Sequence, residues 1–431
     1  MKGKHLLTLL ALTLFAGALA APLAAADSPV KKFELIAGRK DLVIDEGVVF
    51  KAFTFNDTVP GPMLVVNEGD RVEISVRNVD TITHGLSVHA ANTQTSLVMG
   101  LLEAGETKTL TFTADFPGVY MYHCAPGGHG IMTHTMGGMF GMIVVEPRRQ
   151  YEMESQLGRP PDLRLYVIQH EVYANGRDFF DGKALYVMMN GYNFRYVGEP
   201  IPVRPGDYVR IYYLNVGPNL VSTFHVVGGV WNYIYYHGNP KNLMEGTQSV
   251  ISGPADSWVI DWQVPAEGPF TFLSHALGTQ AIKGAIGVLS SKKDAPHVDE
   301  VRSEGLTLPL PEAPRRVVAP FEIGSPDLDI PVRYRPGDRV IIQAVGNSFW
   351  PKIAEVPVGT EVTWVNEDVF DFLDKERSGR HNMVVVSGPG GFESPQLAHA
   401  EKFTYKFTKP GEYDYICNLH PYMKGKIRVY K

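Results

Sequence analysis

The sequence has little cysteine, little charge and, after its first 26 residues, no long apolar run. Cys124 and Cys417 are the only cysteines in 431 residues, which excludes the multi-bridge framework of a small exported scaffold. Charged residues make up 20% of the chain and the formal net charge is −6. Because no stretch is basic, a nucleic-acid binder is excluded as well. No long amphipathic helical pattern occurs, which turns attention to strands.

Turn-forming residues are abundant instead. The chain has 43 glycines and 31 prolines, and its remaining segments are rich in β-branched and aromatic residues, which favour strands. At roughly 100–200 residues per domain, the length predicts two to four domains.

The N-terminus has the layout of an export signal. Lys2 and Lys4 precede an apolar run from Leu6 to Leu19, and small residues follow before Asp27. We predict a secretory signal peptide over residues 1–26 and a mature protein that is soluble and periplasmic or otherwise exported. A membrane anchor is the alternative, but the run is short for a bilayer span.

One pattern of turn and strand occurs three times. A glycine turn precedes an alternating strand at Glu68-Gly69-Asp70, Pro205-Gly206-Asp207 and Val358-Gly359-Thr360-Glu361. Such spacing is typical of Greek-key β-sandwiches. We therefore predict an all-β chain with sandwich domains at 27–150, 151–292 and 337–431, and a Pro-rich linker at 293–336.

The last domain carries a metal-ligand motif on one predicted loop. Cys417, His420 and Met423 follow a strand, and His381 lies upstream. A thiolate, two imidazoles and a weak axial thioether form the ligand set of a blue, type 1 electron-transfer copper. The motif resembles the plastocyanin-like cupredoxins, whose copper uses these four positions. The resemblance implies electron transfer, since four protein ligands leave no place for a substrate.

The first domain has a matching set in His84, Cys124, His134 and Met139. Other methionines crowd the same loop, so the axial ligand has alternatives: Met132, Met136 and Met142. A Cys124–Cys417 disulfide is a second interpretation, although each cysteine has its own histidine and methionine neighbours. The second domain has no cysteine at the corresponding strand, which excludes a type 1 copper there.

Neighbouring residues on a strand point to opposite faces. If Cys124 faces one copper, His123 faces away from it, and His89, five residues after His84, faces away as well. Parity therefore places His89 and His123 together at a second site and puts Ser87 on the same face.

A catalytic copper needs a further imidazole and an open position for water or substrate. His275, at the end of the second domain's equivalent strand, is our candidate for the third ligand. His225 and His237 are alternatives, and either can instead be a hydrogen-bonded histidine with no metal role.

From about Phe33 to Leu289 the chain resembles the copper-containing nitrite reductases. The resemblance is carried by these motifs: His84 with His89, His123-Cys124-Ala125-Pro126, His134 with Met139, Phe224-His225-Val226-Val227-Gly228-Gly229, and Ser274-His275-Ala276-Leu277. It implies three cupredoxin-like domains, two type 1 coppers and one type 2 copper per subunit, and a homotrimer in which His275 completes a neighbour's site. The implied reaction is the one-electron reduction of nitrite to nitric oxide in denitrification.

Two positions depart from the family. Ser87 stands where the family usually has Asp, and Val230 stands where it usually has His. Those residues bind nitrite and deliver protons in the family, so we expect another proton route. Ser87 is our candidate relay, and His129 is the candidate proton source, because histidine is the residue type that titrates near neutral pH. A surface role for His129 is the alternative. The implied electron donor is a small cytochrome c or cupredoxin.

Two other functions compete with this interpretation. A laccase-like multicopper oxidase needs His-x-His pairs, which the sequence lacks, and Ala125 rather than His follows Cys124. A non-enzymatic electron carrier or copper-binding protein is favoured by the loss of both proton-handling residues.

Overall fold

The computed structural model describes residues 30–431, apart from 127–129, 175–177, 180, 320–330, 346–347, 367–378 and 421–422. The predicted signal peptide over 1–26 therefore lies outside the described residues. Strands dominate, and the described sheets pair into three β-sandwiches, which confirms the all-β prediction. None of the helices in these ranges is long and apolar enough to span a membrane.

The first sandwich is built from strands in which apolar and polar residues alternate. Its strands are β1 (Lys31–Asp45), β2 (Val48–Phe55), β3 (Leu64–Asn67), β4 (Arg71–Asn78), β5 (Ser87–Val88), β6 (Thr107–Thr113), β7 (Gly118–His123) and β8 (Phe140–Glu146), and its helices are α1 (Thr95–Met99) and α2 (Gly130–Met136). One sheet runs β2-β1-β4-β6 and the other β3-β8-β7-β5. In β4, Val72, Ile74 and Val76 face the core, as a period of two requires.

The second sandwich follows α3 (Glu152–Leu157) and has no cysteine. Its elements are β9 (Leu163–Val172), β10 (Tyr186–Met189), α4 (Arg195–Gly198), β11 (Ile201–Val203), β12 (Tyr208–Gly217), β13 (Ser222–Val226), β14 (Trp231–Tyr236), β15 (Leu243–Thr247), β16 (Ser249–Ser252), β17 (Asp256–Gln263), β18 (Gly268–Ser274), a short 3-10 helix (Ala281–Lys283) and β19 (Ile286–Ser291). Its sheets run β10-β9-β12-β17-β14-β15 and β11-β19-β18-β13-β16.

The first two sandwiches share an apolar core between them, and β7 contributes to both sides. Val119 and Met121 of β7 pack in the shared core with residues of β9 and β12. Tyr120 and Tyr122 pack in the first sandwich's own core, together with Cys124. The alternation along β7 therefore points the side of Cys124 into the core of the first sandwich and the opposite side toward the second sandwich.

The predicted linker is packed against both sandwiches in its described part. It forms β20 (Glu300–Val301) and β21 (Arg316–Val318). The first pairs in parallel with β9 and the second with β2. The segment thus extends a sheet in each of the first two domains, which a freely extended linker would not do.

The third sandwich has its own core. Its strands are β22 (Val332–Arg333), β23 (Val340–Val345), β24 (Ser348–Trp350), β25 (Ile353–Pro357), β26 (Glu361–Asn366), β27 (Val384–Ser387), β28 (Lys402–Lys406), β29 (Gly411–Ile416) and β30 (Lys424–Tyr430). The sheets run β22-β25-β30-β29-β27 and β24-β23-β26-β28. Because β22 pairs with β25, this sheet includes residues that precede the predicted boundary at 337.

A buried asparagine recurs near the end of one strand in each sandwich. Its side-chain amide donates to two backbone carbonyls: Asn78 to Ile82 and Leu102, Asn215 to Leu220 and Ser252, and Asn366 to Gly379 and Leu397, all at 2.7–2.9 Å. The residues two positions after the first carbonyl are His84, Ser222 and His381. The asparagine therefore fixes the loop that presents this residue in every domain.

Candidate metal centres

The first group of metal-binding side chains surrounds Cys124, which follows directly on the end of β7. The Cys124 sulfur lies 3.5 Å from His84 Nδ1 and 3.4 Å from His134 Nδ1. All three side chains are buried. Phe53 stacks on the His134 ring at 4.5 Å between centroids, and the Gly85 amide donates to the sulfur at 3.4 Å.

Burial favours the neutral form of both imidazoles in this group. Burial lowers the pKa of His134 well below its usual value, and it lowers that of His84 despite the nearby Asp80. Burial also raises the pKa of the Cys124 thiol. Neutral imidazole and deprotonated sulfur are the forms that bind metal, so loading of this site displaces a proton from sulfur.

An acidic residue that the sequence prediction missed supports His84. His84 Nε2 lies 3.2 Å from Asp80 Oδ2, so the imidazole donates there and keeps its Nδ1 lone pair directed at Cys124. Burial raises the pKa of Asp80, but hydrogen bonds from His84, the Thr81 amide and Arg39 lower it to about 2. The Asp80–His84 spacing of four was visible in the sequence, whereas Arg39 lies 41 residues before Asp80.

The four candidate methionines of this loop lie in different surroundings. Met139 packs in the core that contains Cys124, and the Cys124 amide donates to its carbonyl at 3.0 Å. Met142 belongs to the core between the domains, and Met132 and Met136 pack against the second sandwich. This distribution favours Met139 as the axial candidate.

The second group lies on the other face of β7, as parity requires. His89 Nε2 and His123 Nε2 are 3.2 Å apart. His123 Nδ1 donates to the Cys124 carbonyl at 2.8 Å, which leaves Nε2 as the lone-pair nitrogen that faces His89. Burial, with a smaller contribution from His89, lowers the pKa of His123 to about 4. Ser87 pairs directly with His123 across the sheet.

The candidates for a third imidazole lie in the second sandwich. His275 is exposed, and its ring lies 5.5 Å from that of His225. His225 Nδ1 donates to the Gln248 carbonyl at 2.6 Å, and His237 lies beside Ser257 and Asp256. Within the described ranges, the clusters of three donor groups are those at Cys124 and Cys417. His275 thus does not join His89 and His123 inside one chain.

The third group surrounds Cys417, just after β29. Its sulfur lies 3.8 Å from His381 Nδ1 and 3.6 Å from His420 Nδ1. Burial raises the pKa of the Cys417 thiol, but hydrogen bonds with the two histidines lower it to about 5. Met423 is buried in the same core as Cys417. His420 is only half-buried, so one edge of this group is open.

The donor sets fit copper on chemical grounds. In each cysteine group the ligand atoms lie within 4.8 Å of one another and no carboxylate belongs to the set. Soft sulfur with two imidazoles selects copper over the hard cations that prefer oxygen. His134 Nε2 is buried with no hydrogen-bond partner, as expected of a ring that is held through its other nitrogen.

Two residues of the sequence prediction remain. Val230 is exposed, after β13 and before β14. His129, the candidate proton source, lies outside the described residues.

Comparisons with known proteins agree with this arrangement. The family model for multicopper oxidases matches residues 37–150, and the model for copper-binding proteins of the plastocyanin/azurin family matches residues 342–430. The chain is 34% identical over 281 residues to the copper-containing nitrite reductase of Neisseria meningitidis serogroup A, which covers 61% of this chain and 70% of that protein.

Solved structures give the same answer. The chain is similar to the Cu-containing nitrite reductase from Thermus scotoductus SA-01, with 59% identity, a TM-score of 0.88 and coverage of 94% of this chain and 100% of that chain. It is also similar to the copper nitrite reductase from Nitrosomonas europaea, with 33% identity, a TM-score of 0.58 and coverage of 62% and 96%. The predicted cupredoxin-like fold is confirmed, and the chain belongs to the copper-containing nitrite reductase family, with a plastocyanin-like cupredoxin domain at its C-terminus.

Proposed function

We propose that this protein is an NO-forming nitrite reductase: nitrite, two protons and one electron give nitric oxide and water. One observation carries the proposal. Cys124 and His123 are adjacent in sequence and face opposite sides of β7, Cys124 beside His84 and His134 and His123 beside His89. The relatives named as nitrite reductases support the same reaction and do not favour the laccase-like or carrier alternatives.

The ligand assignment follows the three groups. We assign His84, Cys124, His134 and Met139 to one type 1 copper, and His381, Cys417, His420 and Met423 to another. His89 and His123 hold two positions of a type 2 copper in the first domain. The second domain supplies His275 to that site.

The subunit arrangement follows from the position of His275. Within one chain, His275 lies beside His225 rather than beside His89 and His123. A site that needs a third imidazole therefore takes it from a second copy, and a closed ring of three copies repeats the same contact at every site. A ring of any size meets this requirement, and we propose a homotrimer because the resemblance to the family implies that assembly.

The two metal positions divide the chemistry. His89, His123 and a third imidazole would hold a copper ion, which would act as a Lewis acid toward nitrite and pass one electron to it. Cys124 and His123 provide a connection of a few covalent bonds between the two faces of β7. The third domain is the entry point for electrons from a small cytochrome c or cupredoxin, because its half-buried His420 offers an exposed edge.

Protons must reach the oxygen that leaves as water. Ser87, opposite His123 in the sheet, can donate a hydrogen bond to that oxygen and accept a proton from behind. A hydroxyl is not acidic at neutral pH, so it relays protons and does not supply them. His129 is the proposed source of these protons.

We also propose that the protein is exported to the periplasm after removal of residues 1–26, where it takes part in denitrification.

The decisive experiment combines a copper count with an assay. The purified, oxygen-free and reduced protein is mixed with nitrite, and nitric oxide is measured by an electrode. We expect nitrite-dependent nitric oxide and three coppers per subunit, one of which gives a non-blue EPR signal. Blue centres alone, without nitric oxide, would show an electron carrier and overturn the proposal.

The role of Ser87 has its own test. Ser87→Ala removes the hydroxyl, and we expect lower turnover with unchanged copper content and unchanged blue absorption. Ser87→Asp restores the acid that the family usually has, and we expect turnover to recover. If Ser87→Ala turned over nitrite as fast as the unaltered protein, Ser87 would not be the relay.

A further inference from the structure

The second sandwich contains a buried polar cluster in the place where the other two domains have the candidate metal ligands around Cys124 and Cys417. Backbone hydrogen bonds locate it. The Thr223 amide lies 3.5 Å from Ser274 Oγ, as the Gly85 amide lies 3.4 Å from the Cys124 sulfur. The Ser274 amide donates to the Ala285 carbonyl at 3.0 Å, as the Cys124 amide does to Met139.

Two more contacts complete the correspondence. The Ala285 amide donates to the Gln280 carbonyl at 3.2 Å, as the Met139 amide does to His134 at 3.0 Å. Ser222 stands two residues after the carbonyl that Asn215 binds, which is the position of His84. The four copper positions are therefore occupied by residues without a thiolate, an imidazole or a thioether: Ser222, Ser274, Gln280 and Ala285.

Three of these side chains, those of Ser222, Ser274 and Gln280, belong to one hydrogen-bonded network that also includes Gln169 and Tyr213. Ser274 Oγ donates to Gln280 Oε1 at 2.7 Å, and Gln169 Nε2 donates to the same oxygen at 3.0 Å. Tyr213 donates to Ser222 Oγ at 2.7 Å, and Ser222 donates to Gln169 Oε1 at 3.0 Å. The side-chain amide of Gln280 donates from Nε2 to the Val221 carbonyl at 2.7 Å.

The cluster is buried and its members are partnered. Gln169, Tyr213, Ser222 and Ser274 are fully buried, and Gln280 is 2% exposed. None of their polar atoms is among the unpartnered buried atoms of the described chain. A fully satisfied buried network is rigid, since breaking one bond leaves a desolvated group unpaired.

His275 is attached to this network through the backbone on both sides. It follows Ser274 directly, and its amide donates to the Thr223 carbonyl at 2.7 Å. The backbone amide of Gln280 then donates to the Ala276 carbonyl at 2.9 Å, which closes the loop after His275. The His275 side chain is exposed within the chain, with the His225 ring at 5.5 Å, so the place from which it projects depends on where these backbone hydrogen bonds hold its Cα.

We propose that the Ser222–Ser274–Gln280 network positions His275 for the metal ion of a neighbouring subunit. The inference rests on the proposed function, in which His275 is the third imidazole of the type 2 site. The second domain thus has the same backbone hydrogen bonds as the two cysteine sites, and in this domain they hold the segment that carries the exposed His275. Ser222, Ser274 and Gln280 are positioning residues and contact no substrate.

The test compares two buried serines of the second domain. Ser274→Ala removes a hydroxyl that donates within the network, and Ser257→Ala removes one that donates at 2.6 Å to the Val119 carbonyl instead. Copper(II) is titrated back into each full-length protein after its non-blue copper has been removed, with a competing chelator. We expect the dissociation constant to rise roughly tenfold in Ser274→Ala, with altered EPR splitting, and to stay unchanged in Ser257→Ala.

The blue absorption of both cysteine sites reports whether each variant is folded. If Ser274→Ala lost it, Ser222→Ala would be judged by the same titration. Equal dissociation constants in the network variant and in Ser257→Ala would overturn the proposal. His275→Ala separates this failure from that of the proposed function: retained non-blue copper in His275→Ala would show that His275 is not a ligand at all.

Discussion

The Cys124 and Cys417 sites have the same backbone hydrogen bonds but different neighbours. In both, the cysteine amide donates at 3.0 Å to the carbonyl of the candidate methionine, and the methionine amide donates to the carbonyl of the second histidine. In both, the first histidine pairs with a leucine whose carbonyl also accepts a hydrogen bond from the buried asparagine of that domain, Asn78 or Asn366. The framework that brings sulfur and imidazole together is therefore common to the two domains.

The two sites differ in the residue that precedes the cysteine and in the exposure of the second histidine. His123 precedes Cys124 and faces the imidazole of His89, whereas Ile416 precedes Cys417. His134 is 1% exposed, while His420 is half-buried. A buried site whose cysteine is preceded by a histidine of a second group favours transfer of electrons within the protein. A more exposed site without that histidine favours the entry of electrons from a donor. The shared framework thus fits two roles, which depend on the residue before the cysteine and on the exposure of the second histidine.

The largest test of this comparison removes each sulfur in turn. Cys124→Ser and Cys417→Ser should each lose about half of the blue absorption, which arises from copper bound to thiolate. With excess small-molecule reductant, we expect Cys124→Ser to fall to the copper-free background, because serine lacks the thiolate that would bind copper and electrons then have no metal centre from which to reach His123. Cys417→Ser should keep its turnover with that reductant and lose it with a protein donor. Nitric oxide production measures both.

Two results would contradict this assignment. Full turnover in Cys124→Ser would mean that electrons reach the nitrite site without the Cys124–His123 connection. Loss of chemically driven turnover in Cys417→Ser would mean that the third domain does more than receive electrons.

A second test asks whether the common framework is equally important in both domains. Asn78→Ala and Asn366→Ala each remove a buried amide that binds two carbonyls. We expect a loss of about 1–3 kcal/mol in the free energy of local unfolding in the altered domain, since buried acceptors lose their donor. Hydrogen exchange of β4 and β26 amides in the full chain measures each domain separately.

The matched control is Asn242→Ala, in which the lost amide donates to an exposed carbonyl of Tyr236 at 3.3 Å. A change below about 0.5 kcal/mol is expected there. If Asn366→Ala left β26 as protected as the control does, the two domains would not share the framework energetically.

The sequence predicted the parts of these sites that follow from strand geometry. The period of two places Cys124 and His123 on opposite faces, and the chain shows this directly in β7. The same argument placed Ser87 on the face of His89, and the structure adds that Ser87 pairs with His123 across the sheet. These predictions depend on neighbours in sequence, for which the backbone alone decides the direction.

Contacts between distant segments were beyond such an argument. Arg39 of β1 reaches Asp80 only because β1 and β4 pair in one sheet, and no local pattern marks that pair. The second domain's network was missed for another reason: serine, glutamine and alanine carry no chemical signature of a metal site. Asn215 offered a signal, since it follows Gly206 by nine residues, as Asn78 follows Gly69.

The smallest test concerns the carboxylate behind His84. Asp80→Asn keeps the shape but removes a buried negative charge that accepts a hydrogen bond from His84 Nε2 at 3.2 Å. A less basic imidazole and a lost negative charge both destabilise the oxidised copper, so the reduction potential of the Cys124 centre should rise. The shift should be on the order of 50 mV, because Arg39 at 2.6 Å already offsets part of the Asp80 charge.

The Cys417 centre is the internal reference for that measurement. A spectroelectrochemical titration of the blue absorption follows both centres in one sample, and only one of the two steps should move in Asp80→Asn. If both steps moved together, the substitution would act through the protein as a whole, and the carboxylate would not be what distinguishes the two sites. If neither moved, the hydrogen bond to His84 would have no influence on the copper that it supports.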